Sequence, residues 1–173
     1  MTFNWPTPQQ FLRAAPLAAL LAACSPVEAT QEAPPSPAIA QSGEVHPISG
    51  LELGQVTVVT ADKEIPFVTE FAITDQAQAR GMMFRESMED DEAMIFPSAT
   101  PELRSFWMKN TPISLDIIFI NAERRIANIE TAMPYSLASV RSDGEVIAVF
   151  EIRGGLAAEL GIKPGDEVRW EQP

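Results

Sequence analysis

The sequence predicts an all-β domain, a β-sandwich or jelly-roll-like barrel with one or two short helices. Three observations carry that expectation. About seven to nine short apolar or alternating runs are separated by turn residues, with little helical periodicity between them. The run Leu115–Ile120 is apolar on both faces except at Asp116, as a strand covered on both sides should be. The composition, 46% hydrophobic and 21% charged, is enough to bury a core.

The chain opens with what reads as an export signal over residues 1–23. Arg13 precedes the apolar run Ala14–Ala23, which is too short to span a bilayer. Leu21-Ala22-Ala23-Cys24 resembles the lipobox of bacterial lipoproteins, which implies cleavage before Cys24 and lipidation of that residue. Two or more acyl chains would anchor the protein firmly. Ser25, rather than Asp, after the cysteine points to the outer membrane, with the domain facing the periplasm. Residues 24–47 read as a tether, with Pro26, Pro34, Pro35, Pro37 and Pro47 favouring extended chain. His46 falls in the tether, where a lone histidine is expected to be solvated. The globular domain is expected over residues 48–173.

Within that domain, Val56–Thr60 reads as a strand, Ala61–Glu64 as a turn and Ile65–Ile73 as a second strand. Thr74 is placed to N-cap a short helix over Asp75–Arg80, which Gly81 closes. After an acidic loop, Ala93–Phe96 forms a strand ended by Pro97. Ser105–Lys109 reads as a strand paired with Leu115–Ile120, with Ser105, Trp107 and Lys109 on one face. Strands over Arg125–Met133 and Glu145–Ile152 follow. Gly154-Gly155 turns the chain into one helical turn, Leu156–Leu160. Lys163-Pro164-Gly165-Asp166 has the Pro and Gly spacing of a type II turn before a last strand, Val168–Trp170.

Composition excludes several function classes. A net charge of −12 leaves no basic face for nucleic acid. With one cysteine (Cys24) and one histidine (His46), no intrachain disulfide, Cys/His zinc site or cofactor motif is available. The methionines suit core filling better than a copper site.

Three carboxylates, Glu70, Asp116 and Glu151, lie in apolar strand contexts, and three cations, Arg80, Arg85 and Lys109, lie in or beside connecting segments. Buried charges need partners, so one polar cluster walled by Trp107 is expected. It reads as a ligand pocket, or as a salt-bridge scaffold. Paired carboxylates admit hydrolysis of a glycan, with Glu70, Asp116 and Glu151 as candidate acid and base.

Thr69-Glu70-Phe71-Ala72, Arg80-Gly81-Met82-Met83-Phe84-Arg85, Met94-Ile95-Phe96, Phe106-Trp107-Met108-Lys109-Asn110-Thr111, Phe150-Glu151-Ile152 and Gly161-Ile162-Lys163-Pro164-Gly165-Asp166 together resemble the family known as domain of unknown function 192. The likeness runs from about Val56 to Trp170. It implies a compact β-sandwich in secreted or envelope-attached proteins and brings no established activity. Its polar signature falls on Glu70, Arg80, Arg85, Trp107, Lys109, Asp116 and Glu151. The expected function is a non-enzymatic envelope lipoprotein that binds a small ligand, a glycan or another envelope protein. A hydrolase and a purely structural protein are the alternatives.

Overall fold

The computed structural model describes residues 43–173; the expected signal, Cys24 and most of the tether lie outside the described residues. Seven strands and two short helices follow in the order β1 (Leu53–Val59), β2 (Glu64–Phe71), α1 (Asp75–Arg80), β3 (Glu92–Phe106), β4 (Leu115–Ile120), β5 (Ile126–Ala132), β6 (Val140–Arg153), α2 (Leu156–Leu160) and β7 (Glu167–Trp170). No helix among the described residues is long and apolar enough to cross a membrane. The all-β single domain is therefore as the sequence predicts.

The strands form one sheet in the order β5-β4-β6-β3-β2-β1-β7. All pairs are antiparallel except β2 with β3, whose parallel pairing uses the crossover that contains α1. The sheet curls until its two ends meet. Asp166 O accepts the Ile126 amide at 2.9 Å, and Arg124 O accepts the Val168 amide at 2.8 Å. This is the barrel form of the expected architecture, and it satisfies two edges that would otherwise be unpaired.

Curling gives the sheet an inside and an outside, and both are apolar. Val56, Phe67, Ile95, Ile118, Phe150, Val168 and their neighbours fill the inside, with Leu156 and Ala157 of α2 closing one end. Met82, Met94, Phe96, Met108, Ile117, Phe119 and Val149 form a second core on the outside, under the loops. Every residue of β4 is buried, because that strand faces a core on each side.

Both helices form where the sequence places them. Thr74 Oγ1 accepts the Ala77 amide at 3.2 Å, and Gly81 ends α1 at φ +46°. Gly155 and Gly161 flank α2 at φ +86° and +74°. Gly154 is tied to its position by Ser114, since an added Cβ would lie 2.2 Å from that residue's Oγ.

Two expectations are corrected. Ala93–Phe96 does not stop at Pro97; β3 continues to Phe106, with irregular register between Pro97 and Ser105 opposite β6. Pro97 is the last residue in register, opposite Ala148, and the ladder becomes irregular just after it. Nor is Ser105–Lys109 a strand paired with β4. It leaves β3 after Phe106 and becomes loop, while β4 lies between β5 and β6.

Candidate functional site

The expected single cluster divides into three, because the register of β4 against β6 separates its carboxylates. Glu151 on β6 lies opposite Ile117, and Asp116 lies opposite Ile152. Opposed residues share a face and successive residues alternate. Glu151 therefore points to the outer core, and Asp116 to the barrel interior. Glu70 is on the same face as Glu151, with Met94 between them on β3. Two strand spacings put their backbones about 10 Å apart.

Asp116 is a structural cap. Oδ1 accepts the Thr131 hydroxyl at 2.7 Å and the Gly155 amide at 2.9 Å, and Oδ2 accepts the Ala157 amide at 2.9 Å. Its partners are a hydroxyl and the first amides of α2, not Lys109 or an arginine as expected. A carboxylate at the start of even a short helix satisfies amides that have no partner in the helix itself.

Glu70 is equally occupied. Arg85 Nη2 donates to both of its oxygens, at 2.6 and 2.7 Å, and the Ser49 hydroxyl donates to Oε2. His46 lies over this pair, its Nδ1 3.2 Å from Arg85 Nη2 and accepting the Ile48 and Ser49 amides at 3.3 and 3.4 Å. The expectation of a solvated His46 is corrected: its side chain is 12% exposed. Residues 44–53 fold back through a Val45–Glu52 bridge and a Leu53 amide to Glu44 bond, which brings it there. Neither His46 nor Ser49 carries a sequence signal for this contact, since the Pro-rich surroundings read as tether.

Glu151 is different. It is 4% exposed, and its Oε2 is buried with no hydrogen-bond partner among the described residues. Desolvation raises its pKa from 4.5 to about 8, so the carboxyl is mostly protonated at neutral pH. It lines a cavity of about 290 Å³ together with Arg80, Met82, Phe96, Arg104, Phe106, Trp107 and Thr111. Arg80 forms no salt bridge among the described residues. Arg104 is held in the wall by Ser98, Glu102 and Gln78. Trp107 is half exposed at the mouth, with Lys109 Nζ 5.1 Å from its ring centroid.

Three loops lie beside the cavity residues Met83 and Thr111 in sequence or by a hydrogen bond, and each carries an aromatic or amide residue in a left-handed backbone. These are Phe84 at φ +66°, Asn110 at +58° and Tyr135 at +60°. The loops bind one another: Asn110 O accepts the Phe84 amide at 2.8 Å, and Thr111 O accepts the Tyr135 amide at 3.0 Å. Asn tolerates this conformation; Phe and Tyr rarely adopt it, and such strain concentrates at functional sites. Phe84, Trp107 and Tyr135 are all more than half exposed. Sequence pattern alone does not mark Phe84 or Tyr135.

The alternative of glycan hydrolysis calls for a carboxylate pair. Such a pair shares one cleft at a separation of roughly 5–10 Å. Here Asp116 faces away, Glu70 is filled by Arg85 and Ser49, and Glu151 alone lines the cavity.

Comparison with known proteins bears on the fold and the family. The profile of DUF192, described as an uncharacterized ACR, matches residues 57–170. The chain belongs to the DUF192 family. Two crystal structures resemble this DUF192 chain closely. One, a protein of unknown function from Novosphingobium aromaticivorans DSM 12444, is 46% identical over 80% of this chain and 99% of its own, with a TM-score of 0.75. The other, from Sinorhizobium meliloti 1021 and named a "putative transcription regulator", is 32% identical over 73% of this chain and 97% of its own, with a TM-score of 0.67. No curated protein matches the chain. The DUF192 match covers Glu70, Arg80, Arg85, Trp107, Lys109, Asp116 and Glu151, and so spans all three carboxylate sites.

Proposed function

We propose that this DUF192 domain is a non-enzymatic binding module that takes a small ligand, or one unit of a glycan, into the cavity above Glu151. The observation that carries the reading is the orphaned Oε2 of Glu151. Buried polar atoms are nearly always paired, and the residue that carries this one also lines a cavity, where its carboxyl is a place for a ligand to bond. Trp107 offers a face on which a ring can stack, and Arg80 offers an uncommitted cation. A general acid with no second carboxylate in reach favours binding over hydrolysis. The name of the Sinorhizobium relative does not transfer easily, since a net charge of −12 opposes DNA.

The sequence of residues 1–47 supports a setting for the module: lipidated at Cys24, tethered to a membrane and facing the periplasm. Incorporation of labelled palmitate into the wild type but not into Cys24→Ala tests the anchor.

The pocket is tested by thermal-shift screening of the full chain against sugars, muropeptides, fatty acids and small organic anions. A ligand at about 100 times its Kd should raise Tm by roughly 5 °C or more, and the shift should disappear in Trp107→Ala. A hit whose shift survives in Trp107→Ala and in Glu151→Leu binds elsewhere and removes the cavity from the argument.

A further inference from the structure

The cavity above Glu151 is basic although the protein is acidic. Besides Glu151, its charged lining is Arg80 and Arg104, the latter paired with Glu102, against a net charge of −12 for the chain. Glu151 also lines it, with a carboxyl whose buried Oε2 has no partner among the described residues. Its walls include the rings of Phe96, Phe106 and Trp107. Building on the binding reading above, we propose that the ligand is a small organic carboxylate with a flat or apolar body. One ligand oxygen accepts a hydrogen bond from the Glu151 carboxyl, the other pairs with the Arg80 guanidinium, and the body lies against the aromatic wall.

The chemistry of the lining separates this class from its neighbours. A protonated carboxyl is a single strong donor toward an anion, and an O–H···O⁻ bond is among the shorter and stronger kinds. A cationic ligand would meet Arg80 and Arg104 and no ionised acid. Phosphate asks for several converging donors, and the guanidinium of Arg104 is already shared among Ser98, Glu102 and Gln78. A wholly neutral ligand would leave Arg80 unused.

Binding of this kind depends on pH in a defined sense. With a pKa of about 8, Glu151 keeps its proton below that value and becomes a repelling anion above it. The other charged groups packed around this face do not cancel the effect. Arg80 comes from α1 and Arg104 from β3; Lys109 lies over Trp107; Glu70 is neutralised by Arg85; and Glu130, opposite Ile117 on β5, is exposed.

The test is calorimetric titration of the full chain with three probes of one shape, benzoate, benzamide and benzylamine, at pH 6.5 and pH 9.5. Benzoate is expected to bind at pH 6.5 and to weaken by about tenfold or more at pH 9.5 as Glu151 ionises. Benzamide and benzylamine are expected to bind at least tenfold more weakly than benzoate at pH 6.5. Glu151→Gln, which keeps the shape and a donor, should bind benzoate with no such pH dependence; Arg80→Ala should weaken it and leave the pH profile as in the wild type. Benzamide binding as tightly as benzoate, or a flat wild-type profile, overturns the carboxylate class. If none of the probes binds while the thermal-shift screen finds a Trp107-dependent ligand, the class falls and the pocket stands. If both experiments are blank, both fall.

Discussion

Asp116 and Glu151 stand one register step apart on neighbouring strands, and each is almost wholly buried, at 1% and 4% exposure. Their fates are opposite. Asp116 faces the barrel interior and finds three donors there, two of them the first amides of α2. Glu151 faces the outer core and finds Met94 and Ile117 beside it, with a cavity above. Burial by itself therefore says little about a carboxylate. One whose oxygens are filled holds the fold together; one left with an orphan oxygen costs stability and stays available to a ligand. Glu70 belongs with Asp116, since Arg85 and Ser49 occupy it.

The sharpest way to break the comparison is Asp116→Ala. It removes three hydrogen bonds and strands two amides of α2, so the loss should be about 3–5 kcal/mol in urea denaturation. A loss under about 1 kcal/mol would mean that water replaces the carboxylate and that the cap is not structural.

Glu151→Gln should move the other way, by an amount that grows as pH rises from about 4.5 to about 8. The folded-state pKa of Glu151 is raised from 4.5 to about 8, so the native state holds the proton more tightly than the unfolded chain. The stability this contributes is complete below about pH 4.5 and is lost as pH rises to about 8. The glutamine variant lacks this loss. It should unfold at nearly the wild-type urea concentration at pH 4.5 and be more stable by on the order of a few kcal/mol at pH 9. Parallel stability curves for the two proteins would show that Glu151 finds a partner or water in solution.

Thr131→Val gives the smallest effect and sharpens the account of Asp116. It deletes one of the three donors while leaving both amide bonds, and should cost about 1 kcal/mol. A cost equal to that of Asp116→Ala would show that the hydroxyl, not α2, is what holds the carboxylate.

The residues that local chemistry governs were legible before any coordinates. The Thr74 cap, Gly81, the Leu115–Ile120 strand buried on both faces and the Lys163–Asp166 turn all formed in place. So did the list of unusual carboxylates, because an acid inside an apolar run is visible in one dimension. How those acids were distributed was not. That depended on the register of β4 against β6, on the parallel pairing of β2 with β3, and on residues 44–53 returning to lay His46 and Ser49 over Glu70. The left-handed backbones of Phe84 and Tyr135 were equally hidden, since loops hydrogen-bonded to one another impose them against local preference. The sequence by itself determined most of the strand segments and which carboxylates would be buried, because side-chain alternation and capping act within a few residues. Only the tertiary structure decided which carboxylate is filled and which is left open to a cavity, because the donors come from strands and loops distant in the chain.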